Sequence, residues 1–290
     1  MIKVFFKSKN DARIVYERLC ARQSALLYFH PCFQLVEQQL LIIDTSSNRE
    51  IVLGKLVIPV VKEYILVHKE EEIMVRILQE MFFYTDEEER FQIITMIRSL
   101  MSGEKEDVPI KNFPQSIEEL ITDSLKRFFT GNVSFTFESF MRFRLKDYIQ
   151  RLIYYIELGI DEYKLEQDYQ VLLDQLRYIA DKQASKTESV HIVHDQRFYL
   201  YDEHFLEITE EEKKRYRGEL MMCHPNLYID EDVVKPLLAI APSRIYIYTD
   251  CPSHSIIYTL QNIFQEKVTI RCKQDFVLMG QNNYRQEVDF

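Results

Sequence analysis

Between Phe137 and Gln183 the chain reads FESFMRFRLKDYIQRLIYYIELGIDEYKLEQDYQVLLDQLRYIADKQ, with no proline and a single glycine. Leu145, Tyr148, Ile149, Leu152, Ile153 and Ile156 repeat at helical spacing and form one apolar face. Leu165, Tyr169, Leu172, Leu176 and Ile179 form a second stripe in a different phase. Gly159 lies between the stripes and predicts a kink or break, giving two helices that bury different neighbours. Such faces must pack on something. The helical spacing of the residues before them therefore predicts a bundle.

That bundle begins near Ile51. Helices are expected over 54–68, 70–83, 86–102 and 117–130, with capping boxes at Thr85/Glu88 and Ser116/Glu119. Thr130-Gly131-Asn132 reads as a helix end with its glycine near C′. Upstream, Ile2–Phe6, Ala25–Phe29 and Leu40–Asp44 are strand-like around a helix at Asn10–Gln23. After Gln183, Val190–Val193 and Phe198–Asp202 predict a hairpin. Helices near 210–222, capped by Thr209 with Glu212, and near 230–240 follow, separated by His224-Pro225-Asn226. Arg244–Thr249, Ser253–Gln265 and Val268–Arg271 then make a parallel strand–helix–strand unit, and GQNNYRQEVDF a frayed tail. The expected fold is α+β, with a small α/β unit at 1–50, a helical bundle at 51–184 and a C-terminal α/β portion at 185–290.

Composition narrows the function. Six glycines, no two within ten residues of each other, leave no glycine-rich phosphate loop. The net charge of −10 opposes nucleic acid and anionic membranes, although a local basic patch acts at short range. Five widely spaced cysteines fit a reducing compartment better than a disulfide framework. The apolar run at the N-terminus is too short for a signal segment, and Lys55, Lys62 and Glu63 interrupt the stretch from Leu53 to Val67. The expectation is a cytoplasmic protein off the membrane.

Candidate chemistry is sparse. Glu70–Glu72, Asp86–Glu89 and Glu210–Glu212 open helices, where carboxylates offset the helix dipole. Arg142, Arg144 and Lys146 do the reverse, placing cations where a helix begins. Pairing with Glu157, Asp161, Glu162, Glu166 and Asp168, through two helices antiparallel about Gly159, is the first explanation. An anionic partner on Arg142, Arg144 and Lys146 is the second, and a carboxylate pair at Asp161 with Glu162 or Glu166 the third. The interleaved tyrosines read as packing residues before they read as base-stacking platforms. Cys251, His254 and Cys272 have spacing a metal could use. Asp250, Cys251 and Ser253 follow a strand and open a helix, the place where open sheets bind small ligands. His191 and His194 lie three apart on a strand, hence on opposite faces. No catalytic set and no cofactor motif is present, so none is expected.

FRLKDY, IDEY and EQDYQVLLDQLRYIAD, followed by VHIV and FYLYD, resemble the YtxC family of endospore-forming Gram-positive bacteria. The late segment from PSRIYIYTD through KVTIRC is similar to that family's closing part. The resemblance implies a sporulation setting and carries over no activity or site. Three readings stand side by side: a sporulation-associated protein that acts on an unidentified protein partner, a small-ligand or metal protein using the C-terminal crevice, and nucleic-acid binding through the basic helix start.

Overall fold

The structure, a computed structural model, describes residues 1–26, 32–105, 107–225 and 227–279. The fold is α+β, and the chain divides into two compact units at Leu165/Glu166. The described part of residues 1–50 and the helices up to Leu165 share one apolar core.

In the first unit, β1 (Ile2–Phe5) runs antiparallel to β3 (Leu40–Ile43), which pairs with β2 (Phe33–Val36). Its other edge takes β4 (Ser134–Thr136) in parallel, so the sheet order is β2-β3-β1-β4. The period-two pattern of Ile2, Val4 and Phe6 drives one face of this sheet into the core. Three residues were too few for β4 to be read from sequence. Ala25, expected in a strand, ends the helix α1 (Lys9–Ala25), and residues 27–29 of that expected strand lie outside the described residues.

The β2–β3 turn places Glu37 at φ 49° and Gln38 at φ 61°, with Gln39 N–H donating to the Val36 carbonyl at 3.1 Å. This is the left-handed pair that a tight hairpin needs, built without glycine or asparagine. Each such residue costs about 1–2 kcal/mol. Gln38→Gly is therefore expected to raise stability by about 0.5–1 kcal/mol after the entropy of the freer unfolded chain is subtracted, measurable as a higher urea midpoint.

The helical run from Ile51 to Glu80 alternates wide and ordinary turns. Ile51–Val57 and Ile65–Lys69 are π-helical, around α2 (Ile58–Tyr64) and before α3 (Glu70–Glu80). Pro59 gives the first wide turn a cause, since it cannot donate to the Lys55 carbonyl and its ring crowds it. Ile58 N–H bonds back to Leu53 instead, and Arg22 Nε donates to the Lys55 carbonyl at 2.7 Å.

The bundle continues with α4 (Glu87–Ser102) and α5 (Ile117–Phe128). The Ser116/Glu119 capping box is present, whereas α4 is capped by Asp86 with Glu89 N–H, one residue beyond the expected Thr85. The left-handed glycine that closes a helix is Gly103, after α4, and not Gly131.

The long segment departs most from expectation. α6 (Phe137–Arg144) ends at Leu145, and α7 then runs from Lys146 to Lys182 through Gly159 without interruption. The two stripes do serve different cores: Leu145, Tyr148, Leu152 and Ile156 belong to the first, Leu173, Leu176 and Ile179 to the second. Gly159 is there because α4 lies close, not because the helix bends. A Cβ at that position would sit 2.5 Å from Ile97 Cγ1.

In the second unit, β5 (Ser189–His194) and β6 (Phe198–Tyr201) form the expected hairpin. β7 (Arg244–Tyr248), α10 (Ser255–Phe264) and β8 (Val268–Arg271) form the parallel crossover, in a separate sheet of order β6-β5-β7-β8. α8 (Glu210–Cys223), with its Thr209/Glu212 capping box, and α9 (Val234–Ile240) complete the unit. Asn226 and GQNNYRQEVDF lie outside the described residues. Among the described residues no helix is long and apolar enough to cross a membrane.

Candidate functional site

At the carboxyl ends of the parallel strands β1 and β4 the chain turns into α1 and α6. Ser8 caps α1 by accepting from Asp11 N–H at 3.2 Å, and Thr136 caps α6 by accepting from Ser139 N–H at 3.2 Å. Sheet edges of this kind leave a crevice between the departing helices. Here it is a cleft of about 500 Å³, walled also by the start of α3.

One wall is held by ionic contacts. Lys69 Nζ lies 2.7 Å from Asp11 Oδ2 and 2.8 Å from Glu72 Oε2, and both Lys69 and Asp11 are largely shielded from solvent. Burial pulls the Lys69 ammonium down, but the two carboxylates together outweigh it and leave its pKa above the ordinary value. Beneath it Tyr64 is fully buried, stacked near His68 and edge-on to Phe137. Burial first, and then the Asp11, Glu72 and Glu138 carboxylates, push its hydroxyl well above the tyrosine range. Glu138 Oε1 accepts from Lys7 N–H at 2.9 Å.

Arg142 lines this cleft together with Lys7 and Arg76. Arg144 and Lys146 line a different one, of about 450 Å³, with Arg127, Thr130 and Asp147. Phe143, 58% exposed, borders both. The expected pairing of these cations with later carboxylates is not made, because an uninterrupted α7 cannot fold back on itself about Gly159. Arg142 lies over Phe143 and Arg144 over Phe128, and among the described residues neither has an ion-pair partner. Lys146 is exposed and also has no ion-pair partner among the described residues. Arg151 covers Phe113 and donates to the Gln115 carbonyl at 3.0 Å, while Glu162 pairs with Lys105 at 3.0 Å. Asp161 and Glu166 make no ion pair among the described residues.

The C-terminal candidates sit at the carboxyl edge of the second sheet. Asp250, Cys251 and Ser253 are exposed. Cys251 N–H donates to Thr249 Oγ1 at 2.9 Å, and Thr249 Oγ1 also meets His194 Nδ1 at 3.0 Å. The helix cap is His254, not Ser253: its Nδ1 accepts from Ile256 N–H at 3.3 Å, and its ring lies against His194 and Phe198. Cys272 Sγ faces Asp250 Oδ1 at 3.8 Å. Cys251, His254 and Cys272 are not gathered, and no group of three or more His, Cys, Asp or Glu able to hold a metal occurs among the described residues. His191 and His194 do face opposite ways: His191 stacks on Phe205 and Tyr246, and His194 on Phe198.

The sequence reading missed Lys7, Asp11, Lys69, Arg76 and Glu138. They come from three separate segments, around 7–11, 69–76 and 138, and none belongs to a motif. The available signal was the pair of helix caps, Ser8 and Thr136, each at the end of a short strand-like stretch.

The sequence model of the YtxC-like family matches residues 55–269. A curated relative, the uncharacterised protein YtxC of Bacillus subtilis (strain 168), is 35% identical over 210 residues, covering 72% of this chain and 74% of that protein. No solved structure matches.

Proposed function

The chain belongs to the YtxC-like family, and from that premise we propose that it is a sporulation-associated cytoplasmic protein, without catalysis of its own, that docks an acidic segment of another protein. The observation that carries this reading is the ridge Arg142-Phe143-Arg144 with Lys146: exposed cations, without ion-pair partners among the described residues, on either side of an exposed aromatic ring. Unpaired cations beside an aromatic anchor suit a carboxylate-rich partner, since arginine and aromatic residues dominate binding energy at such contacts. The net charge of −10 is screened beyond about 8–10 Å at physiological salt, so it does not oppose docking at contact range. Five widely spaced cysteines, with no disulfide among the described residues, support a reducing compartment.

The test pairs a deletion strain with crosslinking in sporulating cells. The wild-type chain is expected to restore spore yield and to capture one partner, with capture falling as salt rises. Arg144→Glu with Lys146→Glu is expected to weaken capture by about tenfold or more at unchanged thermal stability. Normal spore yield in the deletion strain would defeat the sporulation assignment. Undiminished capture by the charge-reversed protein would defeat the docking assignment.

A further inference from the structure

Where α3 gives way to α4, three large apolar side chains stand in water: Met81 is 51% exposed, Phe83 79% and Phe91 64%. Phe83 also sits at φ 62°, the left-handed region that glycine usually fills. A ring held out in solvent on an unfavourable backbone does not stabilise its own chain and marks a contact surface. Glu80, Asp86, Glu87 and Glu88 flank it along the chain, all exposed and none in an ion pair among the described residues. Arg90, the cation in that stretch, is half-buried and donates to the Tyr84 and Thr85 carbonyls. The corner is an aromatic knob in an acidic collar.

The hollow beside Arg144 and Lys146 has the opposite character. It offers about 450 Å³ walled by Phe128, Val133 and Phe143, with Arg127, Arg144 and Lys146 set against one carboxylate, Asp147. Arg142 shares its own cleft with Asp11, Glu72 and Glu138, so it adds little to this charge. An apolar hollow with a cationic rim suits an aromatic knob with an acidic collar in both shape and sign. One chain cannot make that contact with itself. The corner lies beside Tyr163, whose ring meets Tyr84 edge-on at 6.5 Å, and Tyr163 and Lys146 are about 25 Å apart along α7. At physiological salt, charges so far apart are screened from one another.

We propose that the chain associates head to tail, with Phe83 of one copy seated in the Phe128, Val133 and Phe143 hollow of a second copy and the carboxylates at 86–88 on Arg144 and Lys146. This rests on the docking reading and deepens it by drawing the acidic segment from a second copy. Sedimentation equilibrium on the full chain tests it. Between about 10 µM and about 1 mM the average mass is expected to climb past that of two chains, because each head-to-tail dimer keeps a free knob and a free hollow. Phe83→Gly relieves the left-handed strain, so the fold should be kept or gain stability while association weakens at least about tenfold. Arg144→Glu with Lys146→Glu should weaken it as much, and so should raising the salt to about 0.5 M. Phe83→Gly keeps an intact hollow and the charge-reversed chain an intact knob. An equimolar mixture of the two should therefore form one-to-one pairs and nothing larger. Wild-type chain that stays single up to about 1 mM, a mass that stops at two chains, or a mixture that does not pair would overturn head-to-tail association. If charge reversal still abolished capture of a different protein in sporulating cells, the docking reading would stand without it.

Discussion

Gly159→Val is expected to lower the stability of the first unit by about 2–3 kcal/mol, seen in far-ultraviolet circular dichroism as an earlier urea transition. The α7 backbone at Gly159 approaches α4 so closely that a Cβ would lie 2.5 Å from Ile97 Cγ1 and 3.5 Å from the Ile93 carbonyl oxygen. Ile93 and Ile97 are both fully buried, so the obstructing atom is no free side-chain tip. Losing glycine favours the helix by about 0.5–1 kcal/mol, which is smaller than the overpacking cost of a β-branched side chain. Gly159→Ala should lose less, because the propensity gain offsets much of one methyl. Ile97→Ala alone should cost about 2–5 kcal/mol, and combined with Gly159→Val it should cost less than the sum by at least about 1 kcal/mol. A strictly additive pair, or a stabilised Gly159→Ala and Gly159→Val, would mean that the helices do not meet there.

The same glycine shows where sequence reading works and where it stops. The phase change between the stripes at 145–156 and 165–179 correctly reports two cores, because apolar periodicity records which face is buried. It does not report whether the backbone stays helical between them. A glycine at a close approach and a glycine at a bend look alike in one dimension. Hairpin, crossover and two of the three capping boxes were legible because their signals are local. β4 was not, since a three-residue strand is defined by its pairing with β1, more than a hundred residues away in sequence. The cleft is a non-local object of the same kind. Arg142 was visible as an unbalanced cation near a helix start, but Lys7 and Arg76 become its neighbours only when β1, β4 and α3 converge.

Acid should unfold the second unit partly through one histidine. His191 is 5% exposed, stacked on Phe205 at 4.2 Å and Tyr246 at 5.1 Å, with Nδ1 3.0 Å from the Tyr248 hydroxyl. Burial first, and then the positive charge of Arg271, lowers its pKa from 6.5 to about 4, with Asp202 opposing weakly. The folded protein therefore holds this ring neutral where the unfolded chain protonates it. The resulting stability is fully present above about pH 6.5 and is lost as pH falls through about 4, a span worth roughly 3 kcal/mol. His194, lowered by burial and by His254, adds a slope of the same sign. Carboxylates lowered by hydrogen bonds, such as Glu203 and Glu212, add theirs at more acid pH. A difference measurement isolates His191. His191→Phe keeps the aromatic stack and cannot take a proton. At pH 7 it should cost about 1 kcal/mol, because the Tyr248 hydroxyl keeps only the weak Met279 Sδ contact at 3.7 Å. Near pH 4.5 the order should reverse, with the variant outlasting the wild type in urea. Parallel stability curves for the two proteins between pH 7 and 4.5 would place the imidazole in contact with water and remove the basis for the depressed pKa.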